Sequence, residues 1–236
     1  LAEVYWDLGF RLQQLGFDYT YDKRLYDRLY SNSPQSVQGH LGADLDYQKR
    51  SLRFIENHDE KRALSLGKEK SKVAAVICGS IPGLTLYHQG QLEGYQIKIP
   101  VQLKRKKNES IDNELESFYN KLLSFTNQQV FRHGQWYMLN ISEAWNGNNS
   151  CENLLAWQWN ILERKQSSLI VVNYSSVQSQ GRIFLVLDKK WDNVKTLEFE
   201  DVIDGKNYKR DRIETSQNGL FVDLEPYQCH LFNLKN

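Results

Sequence analysis

Two rhythms of apolar and polar positions run along the chain, and they change over near residue 130. In the first half, short apolar runs alternate with stretches of helical period. "LAEVYW" (1–6) reads as a strand, and Leu8, Leu12 and Leu15 then recur at helical spacing. Phe17, Tyr19 and Tyr21 alternate with polar partners, which predicts a strand over 17–22. Ser33-Pro34 supplies an N-cap and a proline at the first helical position, predicting a helix from there to about Lys49. "SLRFI" (51–55) is the third strand, 69–80 a helix closed by Pro82-Gly83, and "LTLYH" (84–88) the fourth strand. The last helix of this half carries Ile111, Leu115, Phe118, Tyr119, Leu122 and Leu123 on one stripe.

Strand and helix in alternation predict parallel βα units. Four units in about 127 residues is about 32 residues each, close to the roughly 31 per unit of an eightfold βα barrel. The first half thus has the size of half a barrel, and an open four-stranded sheet fits the count equally well.

Beyond residue 130 the period shortens to two. Leu155, Trp157, Trp159 and Ile161 fall on one face of 153–161, with Ala156, Gln158 and Asn160 on the other. Strands are predicted again over 168–175, 181–188, 196–202, 219–224 and 229–234. Short strands with turn signals and no helix predict an antiparallel β-sandwich. The expected organisation is an α/β domain over 1–128 followed by an all-β domain over 129–236, with no low-complexity linker between them.

Composition narrows the function classes. The net charge of +1 gives no field to recruit nucleic acid or an anionic membrane, and no apolar run approaches the roughly 20 residues that span a bilayer. Cys78, Cys151 and Cys229 are far apart and form no metal or disulfide pattern, so they read as structural thiols. The first ten residues lack both a Met and the charged start of a signal peptide, and read as strand interior. A piece of a longer chain is therefore expected, and the compartment stays open, with the cytoplasm favoured. The sequon at Asn173 falls in an expected core strand and reads as coincidence.

"RFIENHDEKR" (53–62) ends an apolar run and at once presents acids, an imidazole and a guanidinium. Working residues of βα barrels sit at strand C-termini. Glu3, the pair His58 and Asp59, and Gln91 with Glu93 occupy such places. Two acids on separate strands can face each other across a barrel mouth, as glycoside hydrolysis requires. On chemistry alone the signal is weak, because a salt-bridged Glu3 and a hydrogen-bonded loop His58 explain the residues as well.

"AEVYWD", "FIENHDEKR" and "IPGLTLYHQGQLEG", in that order, resemble the later signature regions of glycoside hydrolase family 13, the α-amylase family. The resemblance spans essentially the whole chain, up to "LEPYQCHLF". It implies the second half of a catalytic (β/α)8 barrel, strands five to eight, followed by the C-terminal β-sandwich. It places the general acid on Glu3 and the transition-state-stabilising carboxylate on Asp59. It assigns substrate contacts to His58 and to Arg62, which matches an arginine found in some members and could also pair with Asp59. The implied substrate is an α-glucan of the starch or glycogen type.

Two departures follow. The family's nucleophilic Asp precedes the general acid, so it lies upstream of this sequence, together with the calcium-binding insertion of many members and the first half of the barrel. No cofactor is implied within this segment, and the segment alone is expected to be inactive. "GQLEG" is one residue longer than the usual motif, so Glu93 takes no role.

Other readings predict different things. A non-catalytic, glycan-binding or regulatory relative would lack the upstream nucleophile. An anionic-ligand binder would use Lys98, Lys104, Arg105, Lys106 and Lys107, a run that more often forms a solvated loop. A carbohydrate-binding face on the sandwich would use Trp157 and Trp159, which fall on an apolar strand face and read as core. Tyr5, Trp6 and Tyr87 are candidate sugar-facing aromatics for which barrel core is the favoured fate.

Overall fold

A computed structural model describes residues 1–5, 7–31, 33–103, 105, 107–161 and 166–235. Trp6, Lys104 and Lys106 of the preceding section lie outside the described residues. The chain divides into two compact units, Leu1–Leu122 and Leu123–Asn236.

In the first unit, β1 (Thr20–Tyr21), β2 (Ser51–Arg53) and β3 (Leu84–Thr85) form a parallel sheet in sequence order. The expected first strand is a single parallel bridge from Ala2 to Thr20. The parallel βα order is as the sequence predicts, but the strands are far shorter than the apolar runs suggest.

The helices depart from expectation in instructive ways. α1 (Gly9–Gln14) does not bury the Leu8, Leu12, Leu15 stripe: Leu8 and Leu15 are exposed, and the buried residue is Gln13. Its amide donates to Thr20 Oγ1 (3.0 Å) and to the Arg50 carbonyl (2.9 Å), so this short helix meets the sheet through a polar side chain. α2 (Lys23–Tyr30) was not expected. Asp22 caps it by accepting from the Leu25 amide, and Leu25, Tyr26 and Leu29 are buried. The expected helix over 34–49 is two helices. α3 (Pro34–Leu41) starts on its Ser33 cap, and α4 (Leu45–Lys49) restarts on Asp44, whose carboxylate accepts from two amides. α5 (Lys68–Ser80) buries nearly its whole circumference, from Val73 through Cys78. The turn after it needs Gly83, at φ +118°, where a Cβ would sit 2.8 Å from the Gln48 carbonyl oxygen. α6 (Asn113–Thr126) buries Leu115, Phe118, Tyr119 and Leu122 as the stripe predicts, whereas Ile111 lies ahead of it and is exposed. Tyr87 packs edge-on against Tyr119, centroids 6.1 Å apart, which is a packing role.

Beneath β1 and β2 lies a buried polar network. Asp22 and Arg53, both without solvent exposure, form an ion pair. Burial pulls the Arg53 guanidinium down to about 9 and still leaves it charged at neutral pH. His40 is also buried, and desolvation, aided by the Arg28 and Arg24 charges, lowers it to about 4. The neutral ring therefore donates from Nε2 to Asp22 Oδ2 at 2.7 Å. Gln48 closes the network, donating to the His40 carbonyl (2.7 Å) and accepting from Arg53.

The second unit opens with α7 (Gln129–His133) and is otherwise mostly antiparallel. One sheet has the order β10 (Asn207–Asp211), β9 (Thr196–Asp201), β12 (Cys229–Lys235), β7 (Gln166–Asn173), β6 (Leu154–Ile161), β4 (Gln135–Met138). The other is β11 (Leu220–Leu224), β8 (Ser179–Ile183), β5 (Ile141–Ser142), and α8 (Arg212–Asn218) links β10 to β11. Leu154, Ala156, Val171, Phe199 and Leu234 of the first sheet share a core with Ile183, Leu220, Val222 and Leu224 of the second.

The face of β6 that meets this core is the Ala156 face, not the Leu155–Trp157–Trp159 face. Its two amides are absorbed there: Gln158 and Asn160 both donate to the Val186 carbonyl, and Gln158 accepts from the Val186 amide (2.9 Å). Trp157 is fully buried and Trp159 packs on Phe131 of α7, centroids 5.7 Å apart, so neither is a surface platform. Asn173 is buried and its amide donates to three carbonyls, which removes its sequon from use. Cys78 and Cys229 are buried, and neither forms a disulfide. Among the described residues no helix is long and apolar enough to cross a membrane.

Because His40 stays neutral when folded but takes a proton near 6.5 when unfolded, the unfolded chain binds the extra proton and folding weakens as pH falls through that window. The loss between pH 6.5 and 4 is on the order of 3 kcal/mol. Urea unfolding across this range should show a shallower acid dependence in His40→Gln than in the wild type.

Candidate active site

The segment 56–62 alternates between facing in and facing out. Glu56 and Asn57 are buried, His58 and Asp59 are exposed, and Arg62 is buried again. Asn57 sets this pattern. Its Oδ1 accepts from the amides of Asp59 and Glu60, both at 2.9 Å, and so folds the backbone into a side-chain-capped turn that presents His58 and Asp59 outward.

Glu3, beside the Ala2 bridge, reaches the same spot. His58 Nε2 lies 3.6 Å from Glu3 Oε1 and 3.5 Å from Asp59 Oδ2. One donor atom from each of the three lies within 4.8 Å of the others. All three side chains are about half exposed, at 44%, 41% and 52% for His58, Glu3 and Asp59. Two carboxylates thus share one imidazole in a solvent-accessible place, and among the described residues no Lys or Arg forms an ion pair with either acid. Lys98 comes close but donates to the Asp59 backbone carbonyl. Tyr5 and Tyr21 flank the acids. Burial raises both phenols, and the nearby carboxylates raise them further, so both hydroxyls stay protonated donors.

Arg62 does not pair with Asp59. Its guanidinium turns inward, Nη1 lying 2.7 Å from Glu56 Oε1, 2.7 Å from His88 Nδ1 and 3.0 Å from the Gln89 carbonyl, while Nε donates to the Tyr95 carbonyl at 3.0 Å. His88 Nδ1 also lies 3.1 Å from Glu56 Oε1, so it accepts from Arg62 in one tautomer and donates to Glu56 in the other. The reason for the inward turn is the buried Glu56 carboxylate, which needs a counter-charge more than the half-solvated Asp59 does. Burial pushes Glu56 up even so, opposed by the Ala63 amide, Arg62 and His88. The network ties the segment after β2 to residues 88–95 after β3.

Glu56 and His88 were missed by sequence reasoning. The available signal was a lone acid closing an apolar run and a histidine at the equivalent place after the next strand. Gln91 is buried and donates to the Tyr119 hydroxyl at 3.0 Å, so it is a packing residue.

Two cavities adjoin the site. His58 and Arg62 line one of about 330 Å³ with His88, Tyr95 and Lys98. A larger one, about 630 Å³, is lined by Tyr5, Tyr21, Asp22, Arg24, His40 and Tyr47 and holds none of the trio. Of the trio only His58 lines the smaller cavity, and neither acid lines either one.

No family model matches the chain, and no curated protein is significantly similar to it. Solved structures are. The α-amylase of Anoxybacillus has a TM-score of 0.74 at 16% identity, over 98% of this chain and 51% of that one. The α-amylase of Geobacillus thermoleovorans, solved with acarbose, has 0.73 at 15%, over 99% and 52%. A maltogenic α-amylase, AmyB, from Thermotoga neapolitana has 0.69 at 18%, over 94% and 52%. The chain therefore spans about half the length of these proteins, and its fold is that of the C-terminal portion of α-amylases.

Arg62→Ala leaves Glu56 buried without a counter-charge and should cost about 3–5 kcal/mol in denaturant unfolding. Replacing both members of the pair at once by apolar side chains of similar volume (Glu56→Leu with Arg62→Met) should recover most of that loss.

Proposed function

We propose that this chain is part of an α-amylase-type retaining glycoside hydrolase or glucanotransferase acting on α-glucosidic bonds of starch- or glycogen-type glucans. Its first unit is the second half of the catalytic (β/α)8 barrel and its second unit the C-terminal β-sandwich. The observation that carries the reading is the meeting of Glu3 with the distant His58–Asp59 pair on a fold shared with α-amylases.

Glu3 is the general acid and gives its proton to the glycosidic oxygen as the bond breaks. Asp59 faces the positive charge that develops on the sugar ring and stabilises it electrostatically. His58, between the two acids, hydrogen-bonds sugar hydroxyls. Tyr5 and Tyr21 add protonated hydroxyls on the flank. Arg62 lines the adjoining cavity and acts through Glu56, holding the segment that carries His58 and Asp59.

The nucleophilic carboxylate comes from the other half of the barrel, so this segment alone does not turn over glucan. Exposed Leu8, Phe10, Leu15 and Phe17 around α1 support a further βα unit packing there. The bound sugars in the neighbouring structures, acarbose in the Geobacillus enzyme and maltotriose in AmyP, support an oligosaccharide ligand.

In the full-length enzyme, Glu3→Gln should lower kcat by about 10²–10⁴ with little change in KM. Steady-state kinetics on soluble starch checks this, and a variant with undiminished kcat would remove Glu3 from the mechanism.

A further inference from the structure

We propose that Glu3, His58 and Asp59 also form an open site for a divalent transition-metal ion of the zinc class, bound where the sugar would sit. Zinc takes nitrogen and oxygen ligands at about 2.0–2.2 Å in a tetrahedron, which places neighbouring ligand atoms roughly 3.3–3.6 Å apart. The His58 Nε2 distances of 3.6 Å to Glu3 Oε1 and 3.5 Å to Asp59 Oδ2 already fall at that spacing. The remaining edge, between the two carboxylates, is within 4.8 Å and closes by rotation of half-exposed side chains. Three protein ligands leave the fourth position open to water.

The donor set selects the ion. One imidazole and two carboxylates suit zinc, whereas calcium needs six to eight oxygens and magnesium an octahedron of them. Charge points the same way. The acids repel each other across the imidazole, Arg62 is committed to Glu56, and Lys98 is held on a backbone carbonyl. A dication supplies the counter-charge that the surrounding protein withholds.

Binding rests on this geometry alone. Its consequence, that zinc excludes the glucan and so inhibits, rests on the function proposed above. The test titrates the full-length protein with zinc chloride by calorimetry, and with cobalt(II) as a visible-absorption probe of tetrahedral coordination. One saturable zinc is expected at the trio. Losing even an outer-sphere partner costs about 10–100-fold in metal affinity, so His58→Ala should weaken binding at least about tenfold. Glu3→Gln and Asp59→Asn should each weaken it too, and His133→Ala, at an exposed histidine in the other unit, should not. Circular dichroism confirms that the variants fold.

Absence of saturable zinc binding, or equal affinity in His58→Ala, overturns the site. Inhibition should appear as a rise in KM at constant kcat. Zinc that binds at the trio without competing with glucan leaves the metal site standing and overturns the sugar assignment instead.

Discussion

The buried Glu56–Arg62 pair is the constraint on which the site depends. A carboxylate one residue before the Asn57 turn, almost without solvent exposure, cannot be left alone, and Arg62 answers it from the far side of the same turn. The two therefore clamp both ends of a short loop. They also fix its middle, because Asn57 has its carboxamide oxygen occupied by the Asp59 and Glu60 amides. What is free to face solvent is what remains, His58 and Asp59. The same guanidinium reaches His88 and the carbonyls of Gln89 and Tyr95, so it ties together the loops after two adjacent strands.

A second buried pair serves the neighbouring loop. Asp22 ends β1, caps α2 and holds Arg53 of β2. One carboxylate thus closes a strand, starts a helix and links two strands, with neutral His40 sharing the Oδ2 atom that pairs with Arg53. Both pairs lie at strand ends, where burying a charge carries a large desolvation penalty. What they contribute is position rather than net stability, since a buried pair of this kind is roughly neutral against well-packed apolar residues.

Much of the fold was legible. Hydrophobic period gave the parallel order of the first unit, α5, α6 and most strands of the second. Failures came where polar side chains took structural work. Gln13 carries the contact of α1 that Leu8 and Leu15 seemed placed to make, and α2 hid behind Asp22, whose capping role is invisible once it is read as the end of a strand. In β6 the alternation was right and its direction wrong, because Gln158 and Asn160 could face the inter-sheet core by bonding Val186. β10 carries Tyr-Lys-Arg-Asp on an edge, with no apolar alternation to read. At the site, the meeting of Glu3 with His58 and Asp59 was expected from the resemblance of their segments to a family signature, not from any periodicity. Glu56 and His88 were not, since a buried ion pair is a three-dimensional fact with no periodicity.

The central claim is that Glu3 donates a proton to a leaving group at the exposed spot where it meets His58 and Asp59. Its most direct measurement compares Glu3→Gln with wild-type full-length enzyme on two substrates, a starch oligosaccharide and an α-glucosyl fluoride. Fluoride departs without protonation, so only the oligosaccharide needs the acid. The account predicts that the variant loses oligosaccharide cleavage while largely keeping the initial burst of fluoride release, since only the later hydrolysis of the glycosyl-enzyme needs Glu3 again, as base. Equal losses on both, or no loss on either, would contradict it.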